Sequence, residues 1–133
     1  MTTQVYKEKR KFEKYDSEHY LLYLNEQPTN FIPSSGTMQE GEQNPEPILG
    51  FSYTGNMPDG GTLIKALGVS YEEFVSGLIR LKYTPDAENA INANMILSLS
   101  DPNHERAAEF KAEWDVFQQY REECKENAKT VLA

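Results

Sequence analysis

Two histidines, one cysteine and a series of three spaced glutamates have the best claim to chemistry in this sequence. His19 precedes an apolar run and His104 follows Asp101-Pro102-Asn103, so the two share no motif. No His-x-x-x-His, Cys-x-x-Cys or acidic calcium loop is present, and a metal site would need carboxylates gathered from distant segments. We therefore expect no metal and no cofactor. Cys124 falls on an apolar stripe, where a thiol is structural and its pKa is raised by burial. Ser34-Ser35-Gly36 lacks the strand-to-helix elbow that exposes a hydrolase serine. Asp59-Gly60-Gly61 suggests a phosphate cradle, but such a loop opens directly into a helix and carries a Lys and a Ser or Thr at fixed spacing. Here the β-formers Thr62, Leu63 and Ile64 follow, so the segment reads as a turn. Glu105, Glu109 and Glu113 recur at i, i+4 and i+8, which on a helix puts three carboxylates on one face. That face can be an acid/base set, a cation site or a docking strip. An exposed acidic face is the commonest cause, and Lys111 lies among the three. No catalytic residue is assigned, and an enzyme is the least supported class.

The elements that would position these residues divide the chain. Residues 4–15 mix Val5, Tyr6, Phe12 and Tyr15 with charges and read as an exposed strand. Tyr20-Leu21-Leu22-Tyr23-Leu24 is a short apolar element, either a capped helix or a buried strand, which periodicity alone does not decide. Residues 25–47, broken by Pro28, Pro33, Gly36, Gly41, Pro45 and Pro47, read as a flexible loop. Residues 48–66 read as a β-hairpin: Phe51 and Tyr53 share a face, Asn56-Met57-Pro58-Asp59-Gly60-Gly61 turns, and residues 62–66 return.

Residues 70–131 form a helical unit. Ser70-Tyr71-Glu72-Glu73 is a capping box, leading into Phe74, Val75, Leu78, Ile79 and Leu81 on one stripe. Thr84-Pro85 starts a second helix running to about Leu99, whose alanines (Ala87, Ala90, Ala93) imply close approach to a neighbour. Asp101-Pro102 repeats the signal and predicts a last helix over 103–131. Its stripe of Phe110, Trp114, Phe117, Cys124, Ala128 and Val131 packs on the chain's own helices or on a partner's. The expected architecture is one α+β domain, with N-terminal β-strands and a hairpin followed by three C-terminal α-helices.

Length fits one domain: 133 residues lie within the common range of about 100–150. The formal charge of −8 is unevenly spread, at +3 over residues 1–15, −7 over 16–60 and −4 thereafter. So acidic a body repels phosphates and disfavours general nucleic-acid binding. The basic start suits an edge strand, whose lysines discourage strand pairing, or contact with an anionic partner. A single cysteine gives no internal disulfide, and no apolar run approaches the roughly 20 residues of a membrane span. We expect a cytoplasmic protein without a membrane partner.

The helical unit resembles a family. Leu78-Ile79-Arg80-Leu81-Lys82-Tyr83-Thr84, then Glu88-Asn89-Ala90-Ile91, then Tyr120-Arg121-Glu122-Glu123-Cys124-Lys125 with Ala128-Lys129 are similar to a unit of small proteins from phage and prophage tail-fibre regions. The segment from Tyr53 to Thr62 resembles the hairpin preceding that unit. The chain departs from the pattern in a longer stretch over 95–108 and in its acidic 25–47 segment. The resemblance implies a non-enzymatic structural or tail-fibre assembly protein, in the host cytoplasm and the virion, acting on a phage structural protein or another copy of itself. It supplies no catalytic residues. Candidate contact residues are Phe51, Tyr53 and Leu63 on the hairpin and Trp114, Phe117 and Tyr120 on the last helix, each of which serves equally well as core. The rival reading is an acidic inhibitor or decoy of a host enzyme or defence protein, which the charge favours.

Overall fold

A computed structural model describes residues 1–31 and 47–133 of the chain. The fold is mixed α+β: the described residues form six antiparallel strands in two small sheets followed by three helices. Where length predicts one domain, the chain divides into two compact units, residues 1–63 and 64–133.

The first unit begins with β1 (Thr2–Tyr6) and β2 (Phe12–Lys14), so the strand expected over 4–15 is two strands separated by the basic segment 7–11. The apolar run is a strand, β3 (His19–Leu22), paired with β2 so that Phe12 lies opposite Leu22. The segment read as a loop over 25–47 opens with a further strand, β4 (Gln27–Phe31). Its remainder over 32–46 lies outside the described residues. β4 edges a sheet of order β1-β5-β4, where the missing N–H of Pro28 is tolerated.

β5 (Ile48–Gly55) is the centre of that sheet, with Tyr53 opposite Gln4 and Ser52 opposite Gln27. The hairpin expectation needs correction. The turn is present: the Met57 N–H donates to the Gly61 carbonyl at 3.0 Å, and Gly60 holds φ +82°, a left-handed value that suits glycine. However, β6 (Thr62–Lys65) joins the other sheet, of order β2-β3-β6. β5 already has a neighbour on both edges, so β6 has no edge of β5 left to pair with.

The second unit holds α1 (Tyr71–Arg80), α2 (Pro85–Ser100) and α3 (Ala107–Leu132), with α3 packed on both other helices. The caps at Ser70 and Thr84 form as the sequence requires. Their side chains accept from the Glu73 and Ala87 N–H groups, each at 3.1 Å. The return arm of the box goes elsewhere, because the Glu73 carboxylate accepts from the Leu67 N–H. Gly77 of α1 lies where a Cβ would come within 2.6 Å of the Lys65 carbonyl, so only glycine permits this approach. The last helix starts later than expected, at Ala107 instead of 103. Asp101 caps the C-terminus of α2, donating its N–H to Leu97, so Asp101-Pro102 ends one helix and does not open the next.

The core of this unit is carried by Phe74, Leu78, Ile79, Phe110, Phe117, Cys124, Ala128 and Val131. The Tyr83 ring meets Phe117 edge-on at 4.9 Å, and the Tyr120 hydroxyl donates to the Leu78 carbonyl at 2.7 Å, tying α3 to α1. Among the described residues, no helix is long and apolar enough to cross a membrane.

Candidate interaction surface

The residues with chemical potential are individually accounted for. Among the described residues, no group of three His, Cys, Asp or Glu side chains is placed to hold a metal ion. The His19 ring meets the Asp16 carboxylate at 2.9 Å, and the neighbouring Glu18 N–H holds that carboxyl below its ordinary range. His104 accepts from the Arg106 N–H, with its ring beside Phe110. Cys124 is buried, and burial pushes its thiol up, away from the reactive thiolate.

The six candidate contact residues separate into two kinds. Tyr53 and Phe117 are fully buried, so they serve the core and not a partner. This corrects the contact reading for both: ring size and apolarity are the same in core and interface, and only burial distinguishes them. Phe51 and Leu63 are half-buried against the cluster of Leu21, Tyr23 and Tyr53. Trp114 and Tyr120 are half-buried on α3, and the Tyr120 hydroxyl is already committed to Leu78. The hairpin trio belongs to the first unit and the helical trio to the second.

In the first unit the aromatic cluster is closed by polar partners. The Arg10 guanidinium lies 4.5 Å from the Tyr6 ring and 4.4 Å from the Tyr23 ring. The Arg10 backbone N–H donates to the Tyr53 hydroxyl at 2.8 Å, and that hydroxyl donates to Glu26 at 2.7 Å. The Tyr23 hydroxyl donates to Asp59 at 2.9 Å, and that of Tyr6 to the Asp59 carbonyl. Burial first, and then the adjoining carboxylates, push the phenols of Tyr23 and Tyr53 above their ordinary value.

The second unit exposes what the first conceals. Residues 89–100 contain no charged side chain, although 26% of the chain is charged. On α2, Ile96 is 64%, Leu97 40% and Leu99 62% exposed, and Ala90 and Ala93 are exposed beside them. The alanines predict close approach to a neighbour, yet among the described residues Ala90 and Ala93 remain exposed. Apolar residues lie all round this helix, the pattern of one covered on every side. Its inner face packs on α3, and Ser98 within it is fully buried. The signal for this surface was the charge-free run, since an interface core is poor in charge.

Beside this helix lies a groove of about 460 Å³ in the same unit. Its walls are Tyr83 and Ile91 on one side and Ala112 and Val116 of α3 on the other, with Glu109 and Glu113 also lining it. Val116 is itself 54% exposed. Arg106 binds Glu109 through two nitrogens, at 2.9 and 3.1 Å, and those bonds hold the Glu109 carboxyl below its usual range. Among the described residues, Glu113 forms no ion pair. The arrangement can bind an apolar surface.

No protein-family model matches the chain, and no curated protein and no solved structure matches it.

Proposed function

We propose that this chain is a non-enzymatic, phage-derived structural or tail-fibre assembly protein that works by protein–protein contact through its helical unit. One observation carries the reading: a charge-free stretch, residues 89–100 of α2, with large apolar side chains facing water on an otherwise highly charged chain. Isolated exposed apolar residues are ordinary, but Ile96, Leu97 and Leu99 fall within four positions of that charge-free stretch and form a patch. The motif resemblance over 78–129 supplies the phage context and brings only structural residues with it.

The test is site-specific photo-crosslinking. A benzophenone amino acid at Ala93 of the full chain is irradiated in cells assembling the particle, and adducts are identified by mass spectrometry. The expected adduct is a tail or tail-fibre chain. Uncrosslinked protein alone would sink the contact reading. An adduct with a basic host enzyme or defence protein would instead favour the inhibitor reading, which the acidic strip Glu105, Glu109 and Glu113 supports.

A further inference from the structure

We infer that the groove between α2 and α3 seats one amphipathic helix of a partner chain, with its apolar ridge flanked on one side by lysine or arginine. The inference rests on the contact reading above and names the chemistry of the partner. Its first support is the shape and lining of the groove. Tyr83, Ile91, Ala112 and Val116 give a trough between two packed helices, and a third helix lying in such a trough is a recurrent recognition mode.

The second support is that the two walls differ in charge. The α2 wall belongs to the run 89–100, which carries none. The α3 wall carries Glu109 and Glu113 one turn apart, along about 6 Å of helix. Glu109 is held by Arg106, and the Arg106 cation is stabilised further by Glu113 and Glu105. One arginine among three carboxylates leaves the strip net negative. A ridge whose basic residues recur at i and i+4 on the α3 side, with neutral residues on the α2 side, complements both walls in one orientation only. A partner acidic on the α3 side is repelled.

A second copy of this chain fits less well. Its uncovered helix face, on α2, is neutral and leaves the glutamates unmatched. Its own basic series of Arg121, Lys125 and Lys129 is interleaved with Glu122 and Glu126, which already bind Lys125 and Lys129. The occupant is therefore a different chain.

The experiment uses the full chain and two fluorescein-labelled synthetic helices of about five turns, identical in their leucine ridge. One has lysine along a single flank, and the other has glutamate at the same positions. Anisotropy is expected to show the lysine helix binding at least about tenfold more tightly in about 0.05 M salt, with most of that advantage gone by about 0.5 M. Glu113→Lys should reverse the preference, and Val116→Asp should abolish binding of both, with circular dichroism confirming that each variant stays folded. Equal binding of the two helices, or indifference to Glu113→Lys, overturns the inference but leaves the contact reading standing. Binding of neither helix, together with self-association that Val116→Asp removes, overturns it in favour of a second copy. Binding of neither, with no self-association and no crosslink at Ala93, removes both readings.

Discussion

In residues 1–63 the rings of Tyr6, Tyr23 and Tyr53 crowd within about 6 Å of one another, and each hydroxyl ends on a named partner. On α2, by contrast, Ile96, Leu97 and Leu99 face water with no charged neighbour along twelve residues, 89–100. The first region is apolar material made self-sufficient by polar closure. The second is apolar material left open. Marginal stability makes that difference informative, because a domain rarely leaves a whole helix face uncovered unless something else covers it.

The comparison breaks first if the second unit turns out to be poorly packed throughout, so that α2 is merely part of a loose whole. Phe117→Ala tests this. Phe117 is 1% exposed and packs edge-on against Tyr83, so its loss should cost about 3–5 kcal/mol in urea unfolding. A cost below about 1 kcal/mol would mean that the core of this unit is not closed, and the exposed face of α2 would lose its meaning.

Polar closure in the first unit is tested by Tyr53→Phe. The change deletes a hydroxyl that both accepts from the Arg10 N–H and donates to Glu26, leaving those two groups without it. The expected cost is about 1–3 kcal/mol by the same measurement. Alkaline titration gives an independent view. The phenols of Tyr23 and Tyr53 are raised in the folded chain above the ordinary value of about 10, so the native state favours the protonated form. Their contribution is whole below that pH and is lost as pH climbs through the raised values. The tyrosinate absorbance of Tyr23 and Tyr53 should therefore complete its rise only as the chain unfolds. Ionisation of Tyr23 and Tyr53 near the ordinary value would show that the cluster is open.

A smaller effect is expected at the cap of α1, where Ser70→Ala removes the bond to the Glu73 N–H for about 1 kcal/mol in thermal or urea unfolding. That cap also illustrates what was legible in the sequence. Local rules that involve neighbouring residues were readable: Ser70 with Glu73, Thr84 with Pro85, and the φ-positive glycine of the 56–61 turn. Rules that depend on distant partners were not. Nothing near β6 says that it will join β3 and not β5, because strand pairing is decided by which edges the rest of the chain leaves free. Pro28 hid β4, since a proline argues against a central strand but not against an edge. Asp101-Pro102 looks the same at the end of one helix as at the start of another. For the candidate surface, aromatic residues pointed to Tyr53 and Phe117, which are core. The more useful signal was the absence of charge over 89–100, a negative feature that a search for reactive residues passes over.

The smallest expected effect on stability is at Leu97, where folding and contact come apart. Leu97→Lys places a charge on the bare face of α2, at a side chain already 40% exposed. A surface change of this kind should alter stability by no more than about 0.5 kcal/mol. If the face is a contact, the same substitution should remove the crosslink at Ala93, because an interface core excludes an unpaired charge. The two measurements then diverge: folding is untouched and contact is lost. Were urea unfolding to show a loss of 2 kcal/mol or more, Leu97 would be packed within its own chain, and α2 would belong with the closed tyrosine cluster as a self-sufficient element.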